Sequence, residues 1–221
     1  MRHLLNHTSS GLPGAQHSYD GNRYALLGEV IEQASGRSFA QLLTERILVP
    51  LELWHTAPDP SVLSAFVHRG LSRSAFLANM AMPYALEGGR VVRSEYPSHF
   101  SPAAGLVTSV RDLAAISIAL DQGLLLNPET QEQMLSPSVS IRGDAFTYGL
   151  GWYVQRHRGL KLEWHGGEWQ SQSALLLRVP ERRLSFVAVA NSRQMSQAYR
   201  MGLGDVLESG VARLFLETFV F

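Results

Sequence analysis

The residues best equipped for chemistry fall in one stretch, Glu163-Trp164-His165-Gly166-Gly167-Glu168-Trp169. Histidine is the side chain whose proton exchange lies closest to neutral pH. The two glycines leave backbone open to a closely approaching ligand. Lys161 is the only lysine in the chain, so any mechanism that needs a lysine base must use that residue. Ser18 lies beside His17 and Tyr19, and Ser171 and Ser173 follow the glycines, which makes these three the candidate nucleophiles. An activated serine needs a base within hydrogen-bond reach, and adjacency in sequence does not supply one. Taken alone, His-Gly-Gly also fits a plain strand end carrying a surface histidine.

The elements that must position this stretch follow from periodicity. Leu150, Trp152 and Val154 alternate with their neighbours, as do Leu160, Leu162 and Trp164, which predicts two antiparallel strands joined near Arg158-Gly159. On that alternation His165 lies on the face opposite Leu162 and Trp164, turned outward or into a cleft. A second strand pair, Ser173 to Val179 and Leu184 to Asn191, turns at Pro180–Arg183, and an amphipathic helix spans Asp205 to Phe219. Earlier in the chain, a helical stripe from Asn22 to Ala34 has Asp20 as N-cap and Gly36 as C′ residue. A helix from Ser38 ends before Pro50, another runs from Ser109 through Leu120, and a short one begins at Asn127-Pro128. Residues 54–101, broken by Pro58, Pro60, Pro83, Pro97 and Gly88-Gly89, predict loops with short helices. Helices followed by an antiparallel sheet and a terminal helix give an α+β class.

Composition excludes several functions. The 221 residues carry 19 acidic and 19 basic side chains, so no electrostatic footprint for nucleic acid is present. The absence of cysteine removes disulfides, thiolate nucleophiles and Cys-ligated zinc. No apolar run approaches the roughly 18 residues of a membrane span, and Met1–Gly14 does not read as an export signal. Cytoplasmic location is therefore the default, and periplasmic location the expectation if a signal peptide lies upstream. No phosphate loop or dinucleotide fingerprint occurs, and no cofactor is expected. His3 and His7 have helical i, i+4 spacing but no HExxH pattern, and no metal is expected there.

Residues 2–14 (RHLLNHTSSGLPG), 18–39 (SYDGNRYALLGEVIEQASGRSF) and 164–192 (WHGGEWQSQSALLLRVPERRLSFVAVANS) together resemble the serine beta-lactamase-like superfamily. The resemblance is to its class C beta-lactamase, D-alanyl-D-alanine carboxypeptidase and esterase group. It implies one partial domain over residues 1–221, helical to about 140, with the sheet and terminal helix from about 145. It also implies acyl transfer on a lactam, peptide or ester, with His165-Gly166-Gly167 as the third family motif and the backbone N–H of Glu168 as an oxyanion donor. Tyr19 takes the place of the family tyrosine, although the asparagine position of that motif holds Gly21. Asp20, Asn22, Gly166, Gly167 and Trp169 are the implied substrate-binding residues.

The family's Ser-x-x-Lys motif is absent. With Lys161 as the only lysine, its serine would be residue 158, which is Arg158. The resemblance therefore implies a chain inactive alone, with its nucleophile expected before Met1 and an exposed apolar sheet edge that favours association. The alternative is a non-catalytic module that keeps the cleft for a peptide or acyl ligand.

Overall fold

The computed structural model describes residues 1–60, 66, 70–96, 99–197 and 204–221; His68 and Pro97 lie outside them. A short helix α1 (Arg2–Leu5) leads into α2 (Gly21–Ala25) and α3 (Leu27–Ser35). Asp20 caps α2, its carboxylate accepting from the N–H groups of Asn22 and Arg23, and Gly36 ends α3 in the left-handed region at φ 67°. The single helix predicted over 22–34 is thus two. The last turn of α2 tightens to a three-residue spacing, with Leu26 N–H donating to Arg23 O, and this separates the two segments.

Helix α4 (Phe39–Leu43) starts at the expected Ser38, in a capping box with Gln41. It continues as a π-helical turn, Thr44–Leu48, where the Thr44 hydroxyl donates to Ala40 O. Within the proline-broken region, α5 (Arg73–Ala78) matches the expected short helices. The hairpin β1 (Tyr84–Glu87) and β2 (Arg90–Arg93) does not. Gly88 and Gly89 take φ of 55° and 77°, the two positive values of a tight hairpin turn, so the pair joins two strands where the sequence reading had only a break. This hairpin is tied to the main sheet, with Tyr84 N–H donating to Asn191 O and the Asn191 amide to Met82 O.

Helix α6 (Val110–Asp121) is capped by Ser109, and α7 (Pro128–Met134) by Asn127. The sheet follows in the antiparallel order β3 (Tyr153–His157), β4 (Leu160–Trp169), β5 (Gln172–Val179), β6 (Leu184–Ala190). Strand β3 begins later than the alternation from Leu150 predicts, because Leu150 and Gly151 donate instead to Met134 O and Leu5 O. Strand β4 runs straight through the glycines, with Gly166 opposite Leu175 and Gly167 opposite Ala174. After α8 (Gln194–Gln197), the predicted terminal helix divides into a 3-10 turn, Val206–Glu208, and α9 (Gly210–Phe219). Ser209 separates them by adopting extended backbone to cap α9.

One sheet face carries Tyr153, Leu162, Trp164, Leu175, Leu177 and Val179 against Val206, Ala212, Phe215 and Leu216. Each fully buried aliphatic side chain here contributes about 1.5–3 kcal/mol of apolar burial. The other face packs on α6 through charge. Arg178, 2% exposed, donates to Glu163 at 2.6 Å, pairs with Asp121 and reaches the Ser117 hydroxyl at 3.2 Å. Lys161 completes the cluster at 2.9 Å from Glu163.

Candidate active site

Further along that second face, His165 lines a cavity of about 210 Å³ with His7, Tyr19, Tyr24 and Tyr148. Gly21 at the start of α2, Gly151 in the loop before β3, and Pro102 and Ala103 ahead of α6 complete the wall. His165 reaches it because β4 alternates as predicted: Trp164 is fully buried in the core and its neighbour faces the opposite way. Tyr19 is delivered by the bend that precedes the Asp20 cap. His7 secures that bend from the other side: Ser18 N–H donates to His7 O, and Asp20 N–H donates to His7 Nδ1 at 3.1 Å. The His7 ring packs tilted at 4.2 Å from Tyr19 and stacks at 5.1 Å from Tyr24. His7 itself is 3% exposed and sits at φ 52°. Gly151 (φ 83°) stands where any Cβ would lie 2.9 Å from the Tyr24 hydroxyl, so only glycine lets that phenol keep its place.

The hydrogen bonds fix the proton positions. His165 Nδ1 lies 2.5 Å from Gly166 O, and a carbonyl only accepts, so Nδ1 carries the hydrogen. In the neutral ring Nε2 then accepts from the Tyr148 hydroxyl at 3.1 Å. Burial pushes the His165 pKa down, partly offset by its bond to Gly166 O. Burial also lowers His17, and takes His7 from 6.5 to about 4, helped by repulsion from His17 and His165 and opposed by Asp20. The phenols are held protonated by burial, with Tyr24 raised to about 12 and Tyr19, Tyr148 and Tyr153 also raised. At neutral pH the lining is therefore uncharged and rich in rings, able to hold a ligand by ring faces and hydroxyl oxygens.

Of the residues singled out in the sequence, Tyr19 and His165 meet, with ring centroids 5.9 Å apart. Gly166, Gly167 and Glu168 continue β4 past the end of its pairing with β3, which stops at Tyr153–Trp164. Among the described residues no strand flanks that edge of the glycine stretch. The Glu168 carboxylate pairs with Arg193, and Trp169, 37% exposed, sits at the hairpin tip outside the cavity lining. Asp20 spends its carboxylate on the α2 cap, and Asn22 is exposed on that helix; neither lines the cavity.

Lys161 is bound to Glu163, away from the lining. The Ser171 hydroxyl donates to Ser94 and Glu95 O, and that of Ser173 to Ser192 O, so neither proton is directed at an imidazole. Ser18 is exposed. His3 bonds Thr8, and α1 ends at Leu5 before the left-handed His7, so the two histidines do not share a helix face. His7, Tyr24 and Tyr148 were not anticipated as site residues. The signal available for Tyr148 was its place in Tyr148-Gly149-Leu150-Gly151-Trp152, where glycines flank an aromatic at the mouth of a strand.

A beta-lactamase family model matches residues 1–207. The chain is 25% identical over 203 residues to Penicillin-binding protein 4* of Bacillus subtilis, covering 86% of this chain and 44% of that protein. It is 26% identical over 190 residues to a D-aminopeptidase of Brucella canis, covering 83% of this chain and 33% of the relative. It thus spans less than half the length of these curated relatives. A D-stereospecific amidohydrolase from Streptomyces sp. shares the fold over 100% of this chain and 72% of its own, with a TM-score of 0.71 at 20% identity. Helices and antiparallel sheet in this order, an aromatic cavity lined by His165 and the match along nearly the whole sequence place the chain in the beta-lactamase family.

Proposed function

We propose that the cavity is one wall of an acyl-transfer site acting on an amide or ester, in which Tyr19 and His165 face the reacting group and the Glu168 N–H serves as an oxyanion donor. The observation that carries this reading is the convergence of Tyr19 and His165 on one cavity, where β4 runs past the end of its pairing with β3. A neutral His165 whose Nε2 accepts from Tyr148 orients the Tyr148 hydroxyl without placing a charge in the site. The serine that would be acylated is supplied by polypeptide outside these 221 residues, since no Ser-x-x-Lys occurs within them. These residues alone then turn over no substrate.

The test is covalent labelling with a fluorophosphonate and a fluorescent penicillin, mapped by mass spectrometry beside a control hydrolase. The 221-residue chain should take no label. A product extended through the reading frame upstream of Met1 should gain a Ser-x-x-Lys and label at its serine. Label on Ser18, Ser171 or Ser173 would overturn the reading.

The same cavity without a Ser-x-x-Lys among the 221 residues also fits a second reading, a ligand-binding module. That reading requires saturable heat on titration with a cell-wall peptide or lactam, and an upstream frame without the motif.

A further inference from the structure

Among the described residues no hydrogen bond holds the Tyr19 hydroxyl, and the side chain is 45% exposed. Its place is set by the peptide groups on either side of it, and both donate to one residue. Ser18 N–H donates to His7 O at 2.8 Å, and Asp20 N–H to His7 Nδ1 at 3.1 Å. The His7 ring then packs against the Tyr19 ring at 4.2 Å. His7 is itself fixed, buried between the buried Asn6 and Thr8. The Thr8 hydroxyl donates to Asn6 Oδ1 at 2.7 Å and lies 2.8 Å from His3 Nδ1. Tyr19 therefore hangs on a rigid platform by two backbone bonds and one ring contact, all made by His7.

One nitrogen makes this hold conditional. A backbone N–H only donates, so His7 Nδ1 is an unprotonated acceptor and the neutral ring carries its hydrogen on Nε2. An imidazolium has hydrogen on both nitrogens, so the bond from Asp20 N–H and the charged ring exclude each other. The surroundings favour the neutral ring at pH 7. His17 lies edge-on at 6.0 Å, and its Nε2 is buried with no partner among the described residues. Tyr148, ahead of β3, crosses the His7 ring at 5.1 Å, Tyr24 of α2 stacks on it at 5.1 Å, and His165 of β4 shares the cavity. Among the described residues, the carboxylate that acts on His7 is that of Asp20, already committed to the N–H groups of Asn22 and Arg23. The Arg23 guanidinium is held by Ser9. Burial, then repulsion from His17 and His165, holds His7 at about 4 against 6.5 for a free ring.

We propose that His7 is the positioning residue for Tyr19: its unprotonated Nδ1 pins the Ser18–Asp20 bend and keeps the phenol at the cavity, and protonation of that nitrogen releases the tyrosine. The charged ring brings a donor against the Asp20 N–H donor, and two donors cannot share that contact, so the bend opens. The proposal rests on the acyl-transfer reading only for what Tyr19 faces. The hold itself needs no nucleophile and is read on the 221-residue chain.

The experiment is an NMR pH titration of the chain labelled at tyrosine and histidine rings, in the native sequence, His7→Gly and His7→Asn. Glycine takes the left-handed backbone of residue 7 but offers no acceptor, whereas asparagine takes it and sets an amide oxygen near the place of Nδ1. In the native chain, ring NOEs between Tyr19 and His165 should fade with the midpoint of His7's own titration, at about 4, while those between Tyr153 and Trp164 persist. The backbone order parameter of Tyr19 should fall from about 0.85 to below about 0.6 over the same range. His7→Gly should show the low value already at neutral pH, and His7→Asn should restore the high value and keep it through the acid range. Tyr19 that stays ordered while His7 titrates, or in a folded His7→Gly, overturns the proposal, as does failure of His7→Asn to restore it. Loss of the Tyr153 and Trp164 NOEs at the same midpoint also overturns it, because acid is then unfolding the whole chain. If His7→Gly does not fold, the native titration and His7→Asn decide. Covalent labelling decides the acyl-transfer reading separately: release of Tyr19 on protonation of His7 with label on Ser171 sinks that reading alone, and a labelled upstream serine with Tyr19 unmoved sinks the positioning alone.

Discussion

Two ends of one sheet face invite comparison. At one end, Glu163 and Arg178 stand opposite each other on β4 and β5, both about 2% exposed, and are joined by Lys161, Asp121 and Ser117. Two residues along β4, His165 opens the other end, where every ring is neutral and a cavity remains. The first end buries charge and matches it group by group, because an ion left unpaired out of water is expensive. The second end excludes charge and leaves space. A closed ion network permits only one arrangement and so holds β4 and β5 against α6. The neutral end can leave space because no buried ion there demands a partner. On this view the charged cluster is the support, and the aromatic cavity is the end left unfilled.

The largest expected effect lies at the charged end. Arg178→Met keeps the volume but removes the buried cation shared by Glu163 and Asp121, leaving Glu163 to Lys161, and should lower unfolding free energy by about 3–5 kcal/mol, read as a fall in urea midpoint at unchanged slope. A loss below about 1 kcal/mol would mean that Glu163 is not held as a buried ion, and the comparison would collapse.

The next effect belongs to the neutral end and to pH. His7 titrates at about 4 in the folded chain against 6.5 when unfolded, so folding favours its neutral form. Its contribution is complete above pH 6.5. It is lost as pH falls through that value towards 4, because only the unfolded chain takes up the proton. The expected loss is about 3 kcal/mol over that window, with His17 and His165 acting in the same direction. His7→Asn tolerates the left-handed backbone and should flatten the acid limb of stability against pH. An unchanged limb would remove His7 from the explanation.

The smallest effect sharpens the contrast. Arg193 and Glu168 form an ion pair at the outer end of β4, with side chains 45% and 33% exposed. Arg193→Ala should cost no more than about 1 kcal/mol, shrinking further in high salt. A loss matching that of Arg178→Met would show that burial does not set the value of these pairs.

Much of the frame could be read from residue order. The alternation Leu160, Leu162, Trp164 assigned His165 to the face away from the core, and the caps at Asp20, Ser38, Ser109 and Asn127 each start a helix. Errors arose where backbone hydrogen bonds left the local pattern. Leu150 looked like strand but donates to Met134 O, and Gly88-Gly89 looked like a break but turns a hairpin. Arg178 sits within Leu175-Leu176-Leu177-Arg178-Val179, and nothing local says that an arginine there is buried with three partners.

By itself the sequence determined the chemical inventory: one lysine, no cysteine, no Ser-x-x-Lys, and a strand that presents His165 beside two glycines. These follow from residue identity and from the twofold period of a strand, which are local properties. Only the tertiary structure decided that His7, Tyr19, Tyr24 and Tyr148 gather around His165, since they are up to 158 positions from it along the chain. It also decided their protonation, because desolvation depends on what packs around a group in space. The neutral character of the cavity therefore comes from packing that no single stretch encodes.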